Sequence, residues 1–415
     1  MIKMKNSMVK CIIFKNMMNK SIKSGVLLTV FTVFCMSAFA QTPTMKVMKD
    51  GVAVFQSEVS NVDSIVFSID SDITAAELVA NIKVGWNLGN TLDCSDLTWL
   101  GNNPSVSAME TAWGNPVTTK AMITAIKNAG FNAIRIPVSW NKVVDANYNI
   151  RADWMARVTE IVNYAIDNDM YVLLNTHHDE GIFKFTDAQK AASLNTFGKI
   201  WAQIADNFKN YNKKLVFEAL NEPRTIGSAA EWSGGTAEER SVLNEHYQLF
   251  VNTVRASGGN NDKRILLINS YGASGTQTAI NGLNIPTDTG PNKIIVSFHN
   301  YAPYDFALNA NSTVSTWSQS NSADTSPITG PINLAYNKFV SQNIPVIIGE
   351  FGALDRKNES VRAEWAKYYV STAKNKGMKC FWWDDGGNFK LLSRSNNNNT
   401  IFFPQIADAL ISGAN

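Results

Sequence analysis

Eight short runs rich in β-branched and aromatic residues recur along the chain: KVGWNLGN (83–90), NAIRIPVS (132–139), YVLLNTH (171–177), LVFEALNE (215–222), RILLINS (264–270), IIVSFHNY (294–301), PVIIGEFG (345–352) and KCFWWDDG (379–386). Segments of helical period separate them, among them ADWMARVTEIVNYAIDND and SVRAEWAKYYVSTAKNKG, the second stopped by Gly377. Eight strand-then-helix units in about 340 residues predict a closed (β/α)8 barrel, placed here over residues 75–415. A doubly wound open sheet shares the alternation, but no glycine-rich phosphate loop follows the first strand.

What precedes the barrel falls into two pieces. Met1 to Ala40 reads as an export leader: six Lys stand ahead of the apolar run GVLLTVFTVFCMSAFA, which ends in the small-x-small pattern Ala38-Phe39-Ala40. That run is short for a spanning helix, so cleavage after Ala40 is expected, with the mature chain periplasmic, cell-surface or extracellular and without a membrane span. Cys35 lacks the small residue that normally precedes a lipid-modified cysteine. Residues 41–74 alternate in short runs split at Lys49-Asp50-Gly51, a hairpin signal, and are too few for a core of their own. Cys94 and Cys380 remain after the leader; they either pair in an oxidising compartment or stay as two buried thiols. The tract SNNNNT (395–400) reads as a loop.

The polarity of the strand ends carries the functional information. Strand two has Arg135 near its end, strand three Asn175, His177 and His178, strand four Asn221 and Glu222. Strand six ends in His299 and Tyr301, strand seven in Glu350, strand eight in Trp382, Trp383 and Asp384. In a barrel these ends converge on one face, the face on which such enzymes place their chemistry. Glu222 and Glu350 stand 128 residues apart, three repeat units, on strands four and seven. Two carboxyls facing each other across a cleft are what glycoside hydrolysis uses, one as acid and one as nucleophile or base. A net charge of +2 with 17% charged residues gives no electrostatic case for nucleic acid or a membrane surface, so a neutral polar ligand fits better.

GWNLGNTLD, IRIPVSW, NTHHDE, FEALNEP, HNY, GEFG and WWDDG, in this order from about Ala80 to the C-terminus, resemble glycoside hydrolase family 5, the cellulase group of retaining barrel enzymes. GWNLGNTLD is closest to the branch with endoglucanases, xyloglucanases and lichenases. The resemblance implies Glu222 as acid/base and Glu350 as nucleophile. It also implies that Arg135, His177, His178, Asn221, His299, Tyr301 and Trp383 bind substrate, with Asn221 on the sugar 2-hydroxyl and Trp383 as the platform under the sugar. The expected activity is that of a retaining endo-β-1,4-glucanase on a β-glucan, needing no cofactor and working as a monomer. A xyloglucanase, lichenase or β-mannanase of the same family is the alternative, and a noncatalytic carbohydrate-binding barrel the remote one.

Physical chemistry sharpens several of these expectations. Glu350 must stay ionised, which Arg135 and the Tyr301 hydroxyl favour, whereas Glu222 must start protonated, so its neighbours are expected to raise its pKa. Asn221 and Glu222 have opposite parity on a regular strand, so both reach the cleft only if strand four bends at its end. Glu218 shares the parity of Glu222 and reads as a buried structural acid with a partner. Adjacent His177 and His178 alternate faces, and four His in all make a poor metal set, so no metal is expected. His246 is read as packed or solvent-facing. Trp382 belongs in the core by parity, while Trp86 and Trp113 either flank the cleft or pack.

Overall fold

The computed structural model describes residues 43–49, 52–61, 72–395 and 399–415. The expected leader lies outside these residues, as does the centre of the Asn-rich tract. Two compact units divide the chain, Met1–Ile69 and Asp70–Asn415. In the first, strands β1 (Thr44–Lys49) and β2 (Val52–Glu58) pair antiparallel, as the hairpin signal predicts, with a register shift between Val47 and Met48. No described helix is long and apolar enough to cross a membrane.

The second unit is a closed barrel of eight parallel strands: β3 (Gly85–Leu88), β4 (Ala133–Ile136), β5 (Tyr171–Asn175), β6 (Leu215–Glu218), β7 (Leu266–Ser274), β8 (Ile294–His299), β9 (Val346–Phe351) and β10 (Lys379–Asp384). Last pairs with first, Phe381 opposite Gly85 and Trp383 opposite Asn87. Amphipathic helices such as Ala152–Asp167, Asp187–Phe208, Ala237–Ala256 and Glu359–Asn375 bury one face against the strands, which follows from their apolar period. Glu359–Asn375 does end where Gly377 takes a left-handed φ of 73°. A short two-stranded ribbon, β11 (Leu392–Ser393) with β12 (Thr400–Ile401), follows the barrel before the helix Pro404–Ala414.

Inside the barrel the strands alternate faces, and the inward positions form two layers. Ala133, Leu173, Val216, Leu267, Ile295, Ile347 and Phe381 make an apolar layer near the strands' N-terminal ends. Leu78, Val79 and Ile82, on and just after the helix Ala75–Asn81, pack into that layer and stop the barrel from below. Gly85 has no side chain because the Phe381 ring occupies the space; a Cβ there would lie 2.0 Å from it. Two residues further along the same faces everything changes. Asn87, Arg135, Asn175, Glu218, Asn269 and Ser297 are all buried and polar.

Cys94 and Cys380 are free and buried, so the pairing alternative is not realised. Burial pushes the Cys94 thiol up to about 12, which leaves it a neutral core residue.

Candidate active site

Arg135 organises the polar layer. Its Nε and Nη2 donate to the two oxygens of Glu218 at 2.6 and 2.8 Å, the fork-on-fork geometry that a guanidinium and a carboxylate prefer. Nη2 also reaches Asn221 Oδ1 at 2.7 Å, while Nη1 reaches Glu350 Oε1 at 2.7 Å and Asn87 Oδ1 at 3.1 Å. Burial alone would strip the charge from Arg135; Glu218 and Glu350 outweigh it and hold the group above the usual arginine range. Glu218 is thus the buried structural acid that its parity predicts. Because Arg135 holds Asn221 by its oxygen, the amide nitrogen is left as the donor end.

The two carboxyls expected to face each other do so. An oxygen of Glu222 and one of Glu350 lie within 4.8 Å, with His299 between them. His299 Nδ1 is 2.9 Å from Glu222 Oε1 and 3.6 Å from Glu350 Oε2, and the Tyr301 hydroxyl donates to Glu350 Oε2 at 2.8 Å. Two irregularities bring these groups together. Strand β6 stops at Glu218, so Asn221 and Glu222 lie beyond the regular alternation and both reach the mouth. A register shift between Phe298 and His299 sets His299 opposite Glu350 on β9.

The expectation that neighbours raise the Glu222 pKa is overturned. Burial does push it up, but the His299 hydrogen bond and the charges of His299 and Arg224 push harder, and the carboxyl sits below its usual range. Arg224 was not foreseen. It lies on the loop just after Glu222, with Nη1 2.9 Å from the Glu222 carbonyl and 3.5 Å from Oε2, and its guanidinium stacks 4.6 Å over the exposed Trp232 ring. Burial, followed by the Glu350 charge, raises the Tyr301 phenol well above its ordinary value, so it is a hydrogen-bond donor.

On the other side of the mouth His177 stacks parallel to Trp383, with centroids 5.9 Å apart and planes 4° from parallel. Trp383 is seated on Gly89, where a Cβ would come within 2.7 Å of the indole. The Asn175 amide is fixed because its Oδ1 accepts from Val138 N–H, so its Nδ2 faces His177 Nδ1 at 3.1 Å. Nδ1 is therefore an acceptor and the proton rides on Nε2. Burial drives the His177 pKa well down, which keeps the ring neutral. His178 sits further out; burial opposes its charge, but Glu180 and Asp93 outweigh that and raise its pKa, and Trp113 packs 5.8 Å from its ring.

Asp93, His177 and His178 bring possible ligand atoms within 4.8 Å of one another, yet this set is a poor metal site. The Asp93 oxygens already accept the N–H groups of Asn90 and Thr91, and His177 carries hydrogen on Nε2. Trp382 is core, as its parity predicts. Trp86 is core too and does not flank the cleft: it is fully buried, with Nε1 donating to Asp384 Oδ2 at 2.9 Å. Trp113 is half-exposed at the rim. His246 is buried and bridges Ser193 Oγ and the Val242 carbonyl. Asn87 and Asn269 belong to the network below the mouth, with Ser297 buried in the same layer, and all three were missed; the signal was there, as each stands two residues after an inward glycine or aliphatic.

Hollows flank the carboxyl pair. One of about 640 Å³ is lined by His178, Glu180, Lys142 and Asn103; another of about 1010 Å³ by Glu222, Trp232, Tyr304, Tyr301 and Pro331. The mouth is thus a groove with continuations, not a closed pit.

A family model described as cellulase (glycosyl hydrolase family 5) matches residues 98–388. Endoglucanase A of Clostridium longisporum is 43% identical over 348 residues, covering 82% of this chain and 66% of that protein. The cellulase/esterase CelE of Acetivibrio thermocellus is also 43% identical, over 83% of this chain but only 41% of its own length. The chain thus spans two thirds or less of these two relatives. Among solved structures, the GH5-4 broad specificity endoglucanase from Ruminococcus champanellensis with bound cellotriose superposes with a TM-score of 0.79 at 45% identity, over 82% of this chain and 99% of that one. The matched span includes every strand from β4 to β10 and both carboxyls, and on this evidence the chain belongs to glycoside hydrolase family 5.

Proposed function

We propose that this protein is an exported, retaining endo-β-1,4-glucanase, with Glu350 as nucleophile and Glu222 as acid/base. The observation that carries the reading is the closeness of the two carboxyls: oxygens within 4.8 Å suit the separation of about 5–5.5 Å between carboxyl groups in retaining enzymes, not the roughly 6.5–9.5 Å that inversion needs to admit a water. Glu350, held by Arg135 and Tyr301, attacks the anomeric carbon while Glu222 protonates the leaving oxygen; Glu222 then takes a proton from the water that releases the sugar. Glu222 starts below its usual carboxylate range, with the His299 hydrogen bond outweighing burial. A glycan laid across the mouth removes water from the carboxyl, whose side chain is still 21% exposed, and that change raises its proton affinity. Asn221 Nδ2 meets the sugar 2-hydroxyl, and Trp383 supports the ring from below with His177 stacked behind it.

The relatives named endoglucanase and the cellotriose in the Ruminococcus champanellensis enzyme favour a β-1,4-glucan as substrate. Reducing-sugar release from carboxymethylcellulose, mixed-linkage glucan, xyloglucan and mannan tests it, with carboxymethylcellulose and mixed-linkage glucan expected to lead. Glu350→Gln should reduce turnover to background with the fold intact, and a 2-fluoro glycoside should label Glu350. Release of the α-anomer from a β-glucan, or label on another residue, would overturn the assignment.

A further inference from the structure

His299 and Tyr301 both reach the carboxyl pair, and Asn300 between them turns its side chain the other way, toward the helices. Its Nδ2 donates to the Pro327 carbonyl of the helix Ser322–Lys338 at 3.3 Å. Its backbone is engaged as well: the N–H donates to the Glu350 carbonyl at 3.1 Å, and the carbonyl accepts from the Tyr369 hydroxyl at 2.9 Å. Burial holds the Tyr369 phenol well above its ordinary value, so it stays a donor. One residue past the regular end of β8 is thus tied to β9 and to the helices Ser322–Lys338 and Glu359–Asn375.

The acceptor that Asn300 finds is one the helix itself cannot use in the ordinary way. In an α-helix the carbonyl of residue 327 accepts from the N–H four residues on; here that residue is Pro331, which has no N–H and whose ring crowds the same carbonyl. The Pro327 oxygen is therefore without its usual partner. A carbonyl can only accept, so the Asn300 amide has to present its nitrogen. Pro331 is in turn fixed from the barrel side. It packs on Gly275, where a Cβ would come within 2.6 Å of the proline Cβ and 3.2 Å of the Phe298 ring.

We propose that Asn300 is a positioning residue for the reaction: its amide ties the end of β8 to the carbonyl that Pro331 leaves available, and so holds His299 against Glu222 and Tyr301 against Glu350 at once. The inference rests on the reading of Glu222 as acid/base and Glu350 as nucleophile. Asn300 touches neither carboxyl with its side chain and acts only through its two neighbours. Without the amide, the backbone bonds to Glu350 and Tyr369 remain, but nothing joins this turn of chain to the helix Ser322–Lys338 through residue 300. His299 and Tyr301 then lose the setting that a misplacement of about 1 Å is enough to spoil. Substrate contacts through Trp383, His177 and Asn221 come from other strands and stay as they are.

The test uses Asn300→Ala, Asn300→Asp, which keeps the shape but sets an ionised oxygen against the carbonyl, and Pro331→Ala, which restores an N–H at 331 and gives the carbonyl its helical partner back. Both Asn300 variants should lose roughly tenfold in kcat with KM within about twofold, since orientation is lost and binding is not. Pro331→Ala should lose kcat in the same way while its Tm stays level or rises, because a proline has left a helix interior. Asn300→Ala combined with Pro331→Ala should fall no further than the worse single variant. Crystal structures of the unaltered and Asn300→Asp chains read the geometry without reference to activity: the His299–Glu222 or Tyr301–Glu350 contact should lengthen past hydrogen-bonding distance in the variant. An unchanged kcat in Asn300→Asp, losses that multiply in the double variant, or kcat that falls only in step with Tm overturns the proposal, as do contacts that do not move. If the unaltered chain hydrolyses no glycan while the contacts still lengthen in Asn300→Asp, it is the functional reading that falls.

Discussion

Single side chains here act through what their neighbours leave unoccupied. Glu222→Ala removes the proton donor, so kcat/KM on natural glycans should fall by about 10²–10⁴-fold, whereas an activated aryl glycoside should still form the glycosyl-enzyme and show a burst. Azide needs no deprotonation and should restore turnover with a β-glycosyl azide as product; an α-azide would require the two carboxyls to exchange roles. Asp179 tests a different kind of burial. Its Oδ1 accepts the N–H groups of Trp140 and Asn141 at 2.8 and 2.7 Å, yet burial pushes its pKa from 3.8 up to about 7. Between those values the folded protein binds the proton more tightly than the unfolded chain, so Asp179 costs progressively more stability as pH rises, by at most roughly 4 kcal/mol. Asp179→Asn should therefore raise Tm at pH 8 and leave it nearly unchanged at pH 4. A Tm difference independent of pH would contradict this.

At the scale of elements, the strands were legible because apolar runs bounded by polar ends have few other uses, and all eight fall where the sequence places them. Their lengths were not: β6 ends at Glu218, four residues short of the expected end, and β7 runs on to Ser274. The early stop brings both Asn221 and Glu222 to the mouth, so the parity conflict seen in the sequence marked a real departure from regular strand. What the sequence hid was pairing across the barrel. Nothing near Glu222 in the chain announces His299, 77 residues away, and while Arg135 was expected beside Glu350, nothing near it announces that it also holds Glu218, Asn221 and Asn87. Arg135→Met should cost about 3–5 kcal/mol in urea unfolding, because it leaves two carboxylates buried beside an apolar side chain. Adding Glu218→Leu should recover part of that loss, since one stranded charge goes with it. A double variant less stable than the single one would show that Arg135 acts by packing instead.

At the scale of the barrel unit, the charged and polar layer lies toward the strands' C-terminal ends and the apolar layer toward their N-terminal ends, with hollows on either side of the carboxyl pair. The helix under the barrel sets a constraint on synthesis. Ala75–Asn81 is the first element of the barrel unit to leave the ribosome, yet the surface it covers includes Ile295, Ile347 and Phe381, made more than two hundred residues later. Strand β3 pairs one edge with β4 early but waits for β10 before its other edge is covered. A nascent chain halted at residue 378 thus holds an open sheet with two bare edges and a helix with no complete seat, however much of the sequence has been translated. Protease digestion of ribosome-bound chains should give no resistant barrel fragment until the β10 segment has cleared the exit tunnel, and protection should then come at once over the entire unit.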